Sequence, residues 1–247
     1  MQKRAVRYSL LDSLRGIALF NMIAYHLIYD LVYIFGISID WYQGTGRYIW
    51  QQSICCTFIF LSGICWCLGR NPIKRGLITS ACGLVITFIT ALFMPKEIVL
   101  FGILTCLGLC TLLMALVNPV IRRIPAWAGL LGSGLLFLIT RNINSGFLGF
   151  GQFNLLALPA LFYKIRLLTP VGFPFAGFYS SDYFPLFPWF FLFSCGYFTW
   201  RLICKKSSIT AFLTRPIPFF HLVGQQSLPI YLLHQPLIML GLTLFLR

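Results

Sequence analysis

The sequence predicts an all-α fold, a polytopic transmembrane helix bundle of about seven spans with one added re-entrant element. Three observations predict it. Of the 247 residues, 59% are hydrophobic and only 10% are charged, where a soluble domain carries about 25% charged residues. Mean hydropathy is +0.85. Apolar runs long enough to cross a bilayer, which needs about 20 residues as a helix, recur along the whole chain. With no soluble stretch, internal repeat or low-complexity tract between them, residues 1–247 read as a single transmembrane domain.

The spans are expected near 11–34, 48–69, 76–94, 98–117, 125–140, 185–203 and 219–245. Prolines punctuate them: Pro72 follows the second, Pro95 ends the third, Pro119 ends the fourth and Pro125 opens the fifth. The fifth is Gly-rich (Gly129, Gly132, Gly134), which favours close approach of a neighbouring backbone. Residues 147–163, FLGFGQFNLLALPALFY, are apolar but short and contain Gln152, Asn154 and Pro159, so a re-entrant or interfacial element is expected rather than an eighth span. The basic N-terminus lacks a small-residue cleavage site, so the first run is expected to persist as a span.

The formal net charge is +14. Its short basic clusters alternate with apolar runs, which is the pattern of topology signals and excludes a nucleic-acid partner. Counted by sides, twelve Lys and Arg share the N-terminal side, six lie opposite, and Arg15 is inside the first span. Positive-inside then places the N-terminus in the cytoplasm. The nine cysteines lie mostly in apolar segments without zinc-ribbon spacing, so packing is expected and no metal is predicted.

The first span, LLDSLRGIALFNMIAYHLIYDLVYIF, is the chemical anomaly. It holds Asp12, Arg15, His26 and Asp30 in a chain with five carboxylates and three histidines. Ionisable groups in a span are costly and mark sites by default. At 100° per residue all four fall on one stripe, and Arg15 and His26 are separated by about 16 Å along the axis. The stripe suits an anionic substrate that meets Arg15 and presents its reactive end to His26. His26 is the natural general base, with Asp30 at i+4 to orient the ring. The bland alternative is an Asp12–Arg15 ion pair at the membrane edge and a satisfied buried histidine.

Two further clusters stand out. In GQQSLPIYLLHQPLIML, Ser227, Tyr231 and His234 share a helical face, Pro229 and Pro236 interrupt the helix, and His234 is followed by Gln235. Site lining and simple helix–helix hydrogen bonding are both open here. In SSDYFPLFPWFF, Asp182 stands beside Tyr183 and Trp189 at the mouth of the sixth span. A sugar-binding surface and an ordinary aromatic belt are equally open there.

Together, RYSLLDSLRGIALFNMIAYHLIYDL, SSDYFPLFPWF and GQQSLPIYLLHQP resemble the signatures of bacterial relatives of heparan-alpha-glucosaminide N-acetyltransferase, a family akin to the membrane acyltransferases that decorate surface glycans. The resemblance implies an acetyl-CoA (acyl-CoA) donor on the cytoplasmic side and an amine or hydroxyl acceptor on an envelope sugar or glycan. It implies His26 and Asp30 as catalytic residues, and Asp12, Arg15, Asp182, Tyr231 and His234 as substrate- or cofactor-binding residues. The family often carries a histidine where this chain has Thr105. The expected function is an integral-membrane acetyltransferase, with His26 as general base or as acyl carrier. The runner-up is a proton-coupled transporter or flippase of small polar or lipid-linked molecules. Expected partners are membrane lipids, the glycan acceptor and a second copy in a homodimer. The expected location is a bacterial inner membrane.

Overall fold

The computed structural model describes residues 6–246. Lys3, Arg4 and Arg247, which enter the charge count above, lie outside them. The chain is helical throughout, with a single two-stranded sheet among the described residues. Six helical segments are long and apolar enough to cross a membrane: Ser9–Ile34, Thr45–Trp66, Pro72–Phe93, Ile103–Ile121, Ala126–Ser145 and Ser227–Leu246. The segment expected as another span is also a helix, Leu186–Ile203, but its backbone is extended at Phe187, so its regular part is shorter.

The chain divides into two compact units, residues 1–58 with 203–247 and residues 59–202. In the first, α1 (Ser9–Tyr29) passes into a π-helical turn at Asp30–Ile34. The start of α2 (Thr45–Trp66) follows, and then, from the far end of the sequence, α7 (Ser207–Leu213), α8 (Phe220–Gln225) and α9 (Ser227–Leu246). Helix α1 crosses α8 at a pair of glycines. A Cβ on Gly16 would lie 2.0 Å from the Phe220 carbonyl oxygen, and one on Gly224 would lie 1.7 Å from that of Asp12. The two backbones touch because neither residue has a side chain. Ser13, fully buried beside this crossing, donates to the Ser9 carbonyl and accepts the Ile217 N–H at 2.9 Å. The expected interruption of the last span by its prolines is placed differently. Helix α9 runs unbroken through Pro236, Pro229 sits in its first turn, and the break falls at Gln226. A proline N–H is not needed in a first turn.

The second unit holds the remainder of α2, then α3 (Pro72–Phe93), α4 (Ile103–Ile121), α5 (Ala126–Ile139), strands β1 (Phe147–Phe150) and β2 (Phe153–Ala157), and most of α6 (Leu186–Ile203). Helix α4 runs past Pro119 to Ile121, two residues beyond the end that the proline predicts. Helices α2 and α6 repeat the reciprocal glycine contact, Gly63 against the Phe193 carbonyl and Gly196 against that of Phe60. Helices α3 and α4 close on Gly76, Gly83 and Gly108, with Thr105 packed on Gly83. In α5 only Gly129 works this way, against the Phe198 ring, whereas Gly132 and Gly134 face open space.

Residues 147–163 form no helical span. They are an antiparallel hairpin with a bulge at Leu148/Gly149, followed by a 3₁₀ turn. Five-residue strands reach about 17 Å, well under a bilayer core, and open strand edges are not tolerated in hydrocarbon. The apolar side chains Phe153 and Leu155 are nonetheless exposed, which suits the interface rather than water.

Candidate functional site

The polar groups of α1 are gathered at its two ends, and each end finds partners within the first unit. At the start, the Asp12 carboxylate is shared by two guanidiniums. Arg7 Nε reaches one oxygen at 2.8 Å and Arg15 Nη1 the other at 2.9 Å. The expected Asp12–Arg15 pair therefore forms, with Arg7 as an added partner. Two cations on one anion leave a net positive charge and unused N–H donors, an arrangement fitted to a phosphate or another anion.

At the other end stand His26, Asp30, Tyr231, His234 and Gln235. The His26 ring is half-buried and lies against His234, ring centres 5.0 Å apart at 60°. Tyr25 and Tyr231 meet the two imidazoles edge-on and tilted, at 5.7 and 5.3 Å. His234 Nδ1 is 2.6 Å from the Tyr231 carbonyl oxygen. A carbonyl oxygen only accepts, so this nitrogen carries the hydrogen, and in the neutral ring Nε2 is an acceptor. The His234 Nε2 atom is buried and has no hydrogen-bond partner among the described residues.

Asp30 is fully buried. Both its oxygens accept from the Gln235 amide nitrogen, at 3.0 and 2.8 Å. The helix widens to a π-turn at this residue, with the Phe35 N–H bonding back to the Asp30 carbonyl. Such turns are frequent at functional sites.

Beyond this end lies a cluster that the sequence did not single out. Tyr42 is fully buried and donates to the Tyr25 carbonyl at 3.3 Å. Trp50 Nε1 donates to Asn21 at 3.1 Å. Arg47 lies over the Tyr33 and Tyr42 rings at 5.4 and 5.9 Å, and Trp41 is largely exposed, tilted against Trp50. Its only sequence signal is a dense run of aromatics between residues 25 and 50.

Asp182 belongs to the second unit. There the segment 180–184 is laced to residues 97–103. Ser180 and Ser181 bond to the backbone of Leu100, Glu97 and Ile98, and Asp182 accepts the Ile103 N–H at 3.4 Å in the first turn of α4. Burial pushes its carboxyl up to about 6, only partly offset by that N–H. This is a helix-capping position. Among the described residues, no group of three or more His, Cys, Asp or Glu has the arrangement of a metal site.

Apolar helices of spanning length around buried ionisable groups define a multi-pass integral membrane protein with a polar site on its first span. A family model described as heparan-alpha-glucosaminide N-acetyltransferase, catalytic, matches residues 7–236. The chain belongs to that family and is thereby a membrane acetyltransferase. No curated protein and no solved structure matches it.

Proposed function

We propose that the protein moves an acetyl group from acetyl-CoA, bound from the cytoplasmic side, to an amine or hydroxyl of an envelope sugar. The observation that carries this reading is the pairing of His26 with His234 on the same helix as Arg15, about 16 Å away along its axis. The anionic part of the donor binds at Arg7 and Arg15, where charge-assisted hydrogen bonds are strongest. The thioester reaches the imidazoles at the other end. The acceptor nucleophile attacks the thioester carbonyl carbon, the new C–N or C–O bond forms, and the C–S bond breaks. The nucleophile's proton passes to an imidazole nitrogen and from there to the departing thiolate.

His26 acts either as that base or as a transient acyl carrier. The exposed aromatics Trp41 and Tyr33, with Arg47, support a saccharide acceptor, since flat rings stack on sugar faces and the cation meets polar substituents. The N-terminus is placed in the cytoplasm by charge, and the host membrane is read as a bacterial inner membrane. In this scheme Tyr231 and His234 line the acceptor end, while Asp182 supports the fold of the second unit.

The test is His26→Ala in purified, membrane-inserted protein, assayed with labelled acetyl-CoA and glucosamine. Transfer is expected to disappear with insertion unchanged. Transfer at the wild-type rate would refute the reading, and substrate uptake without transfer would favour a transporter using the same polar seam.

A further inference from the structure

Gln235 has no role in the scheme above, yet its geometry is the most constrained of the site. Its amide nitrogen is bound by both Asp30 oxygens. An ionised carboxylate only accepts, so the amide has one orientation, with Nε2 toward Asp30 and Oε1 away from it. Oε1 is buried and has no hydrogen-bond partner among the described residues. The adjoining His234 is in the same condition: its Nδ1 is committed to the Tyr231 carbonyl, it is only 8% exposed, and its Nε2 is buried without a donor. Two consecutive residues thus hold two buried acceptors, each oriented by a bond to something else and each lacking a hydrogen. Buried polar atoms in folded proteins are nearly always paired, and those that are not call for a ligand or a function.

We infer that Gln235 binds the acceptor's nucleophile by accepting one of its hydrogens at Oε1, and that Asp30 is a positioning residue acting through Gln235. This rests on the acyl-transfer reading and adds the groups that hold the nucleophile. His234 Nε2 is the second acceptor of the pair. The Asp30 charge lies behind the amide, polarising it so that Oε1 is a stronger acceptor than an isolated amide. The assignment explains why a carboxylate is buried at the start of the π-turn with an amide, rather than a cation, as its bonded partner: the amide has a second end to offer.

The experiment measures KM for acetyl-CoA and for glucosamine separately, in the full-length protein, with wild type alongside to account for titration of His26, His234 and Asp30. Gln235→Leu is expected to raise KM for glucosamine about tenfold, the loss of one hydrogen bond, and to leave KM for acetyl-CoA unchanged. Gln235→Glu keeps the shape and supplies a diagnostic. The protonated acid can donate to Asp30 and still offer a carbonyl oxygen, whereas the ionised form sets two negative charges face to face. Its KM for glucosamine, relative to wild type, is therefore expected to climb as pH rises. Asp30→Asn should reproduce the acceptor defect, and the double variant with Gln235→Leu should be no worse than either single variant, because the two residues act in series. An unchanged glucosamine KM in Gln235→Leu, or a pH-independent ratio for Gln235→Glu, overturns the inference while wild-type turnover keeps the acyl-transfer reading. Absence of transfer in the wild type overturns both. If Gln235→Leu does not fold, the near-isosteric Gln235→Glu carries the test.

Discussion

Replacing Gly224 by alanine probes the contact that holds the first unit together. The added Cβ would lie 1.7 Å from the Asp12 carbonyl oxygen, 2.6 Å from its carbon and 3.0 Å from the Gly16 nitrogen. All three are backbone atoms, so no side chain can swing aside. Restoring ordinary contact requires α8 to retreat from α1 by about 1.5–2 Å, which is the overpacking regime of about 1–3 kcal/mol. The same retreat stretches the Ile217 N–H···Ser13 Oγ bond, now 2.9 Å, beyond bonding range, for about 1 kcal/mol more. The total of about 2–4 kcal/mol corresponds to a melting temperature lower by about 5–10 °C in a chain of this size. Thermal unfolding in mild detergent reads it directly, with Gly132→Ala as control because a Cβ there meets nothing within 4 Å. Equal melting temperatures for Gly224→Ala, Gly132→Ala and wild type would show that the crossing is not the close backbone contact described.

Three further outcomes are expected. Asp182→Asn should alter the pH dependence of stability. The carboxyl titrates at about 6 in the fold against an ordinary 3.8, so its protonated form is favoured there. The resulting stabilisation, about 2–3 kcal/mol, is complete below the ordinary value and is lost as pH rises through about 6. Wild type should therefore lose melting temperature relative to Asp182→Asn between about pH 5 and 7, and parallel curves would contradict this. Arg15→Gln should raise KM for acetyl-CoA by about 10–100-fold, the value of a hydrogen bond to a charged group, and the defect should shrink in high salt as screening weakens the wild-type attraction. Trp41→Ala should raise KM for the sugar about tenfold, in the range of an aromatic contact, with KM for acetyl-CoA unchanged.

The fold was legible where a single property decides it. Runs of about 20 apolar residues bounded by proline give helices of spanning length, and five of the expected spans lie within a few residues of the observed ones. The hairpin at 147–157 was not legible, because both faces of its strands are apolar and no alternation marks period two. Its turns depend on Gly149 and Gly151 at positive φ, a signal easily read as helix-breaking noise. Pro119 misled because a proline near a helix end deletes one bond without stopping the helix. In the site, the ionisable stripe of α1 named His26, Asp30, Asp12 and Arg15. The partners came from residues some two hundred positions away, His234 and Gln235, and no spacing rule connects such pairs. The aromatic cluster around Tyr42 and Trp50 was hidden because tyrosine and tryptophan are common at membrane interfaces for reasons unrelated to a site.

The two ends of α1 differ in a way that separates support from chemistry. At the Arg15 end every described ionisable group is offset, since a carboxylate is shared by two guanidiniums, and ion pairs of this exposure contribute little to stability on their own. At the His26 end the offset is incomplete. Asp30 is bonded to Gln235 and His234 to a backbone carbonyl, yet Gln235 Oε1 and His234 Nε2 remain without donors. Each such atom costs about 1–3 kcal/mol, and apolar residues of similar volume at both positions would avoid that cost entirely. A packing role therefore explains the glycine crossing, Ser13 and the Asp12 pair, but not the orphaned acceptors. They stabilise nothing in the protein alone, and they acquire a physical rationale only when a molecule with hydrogens to give enters beside the two imidazoles.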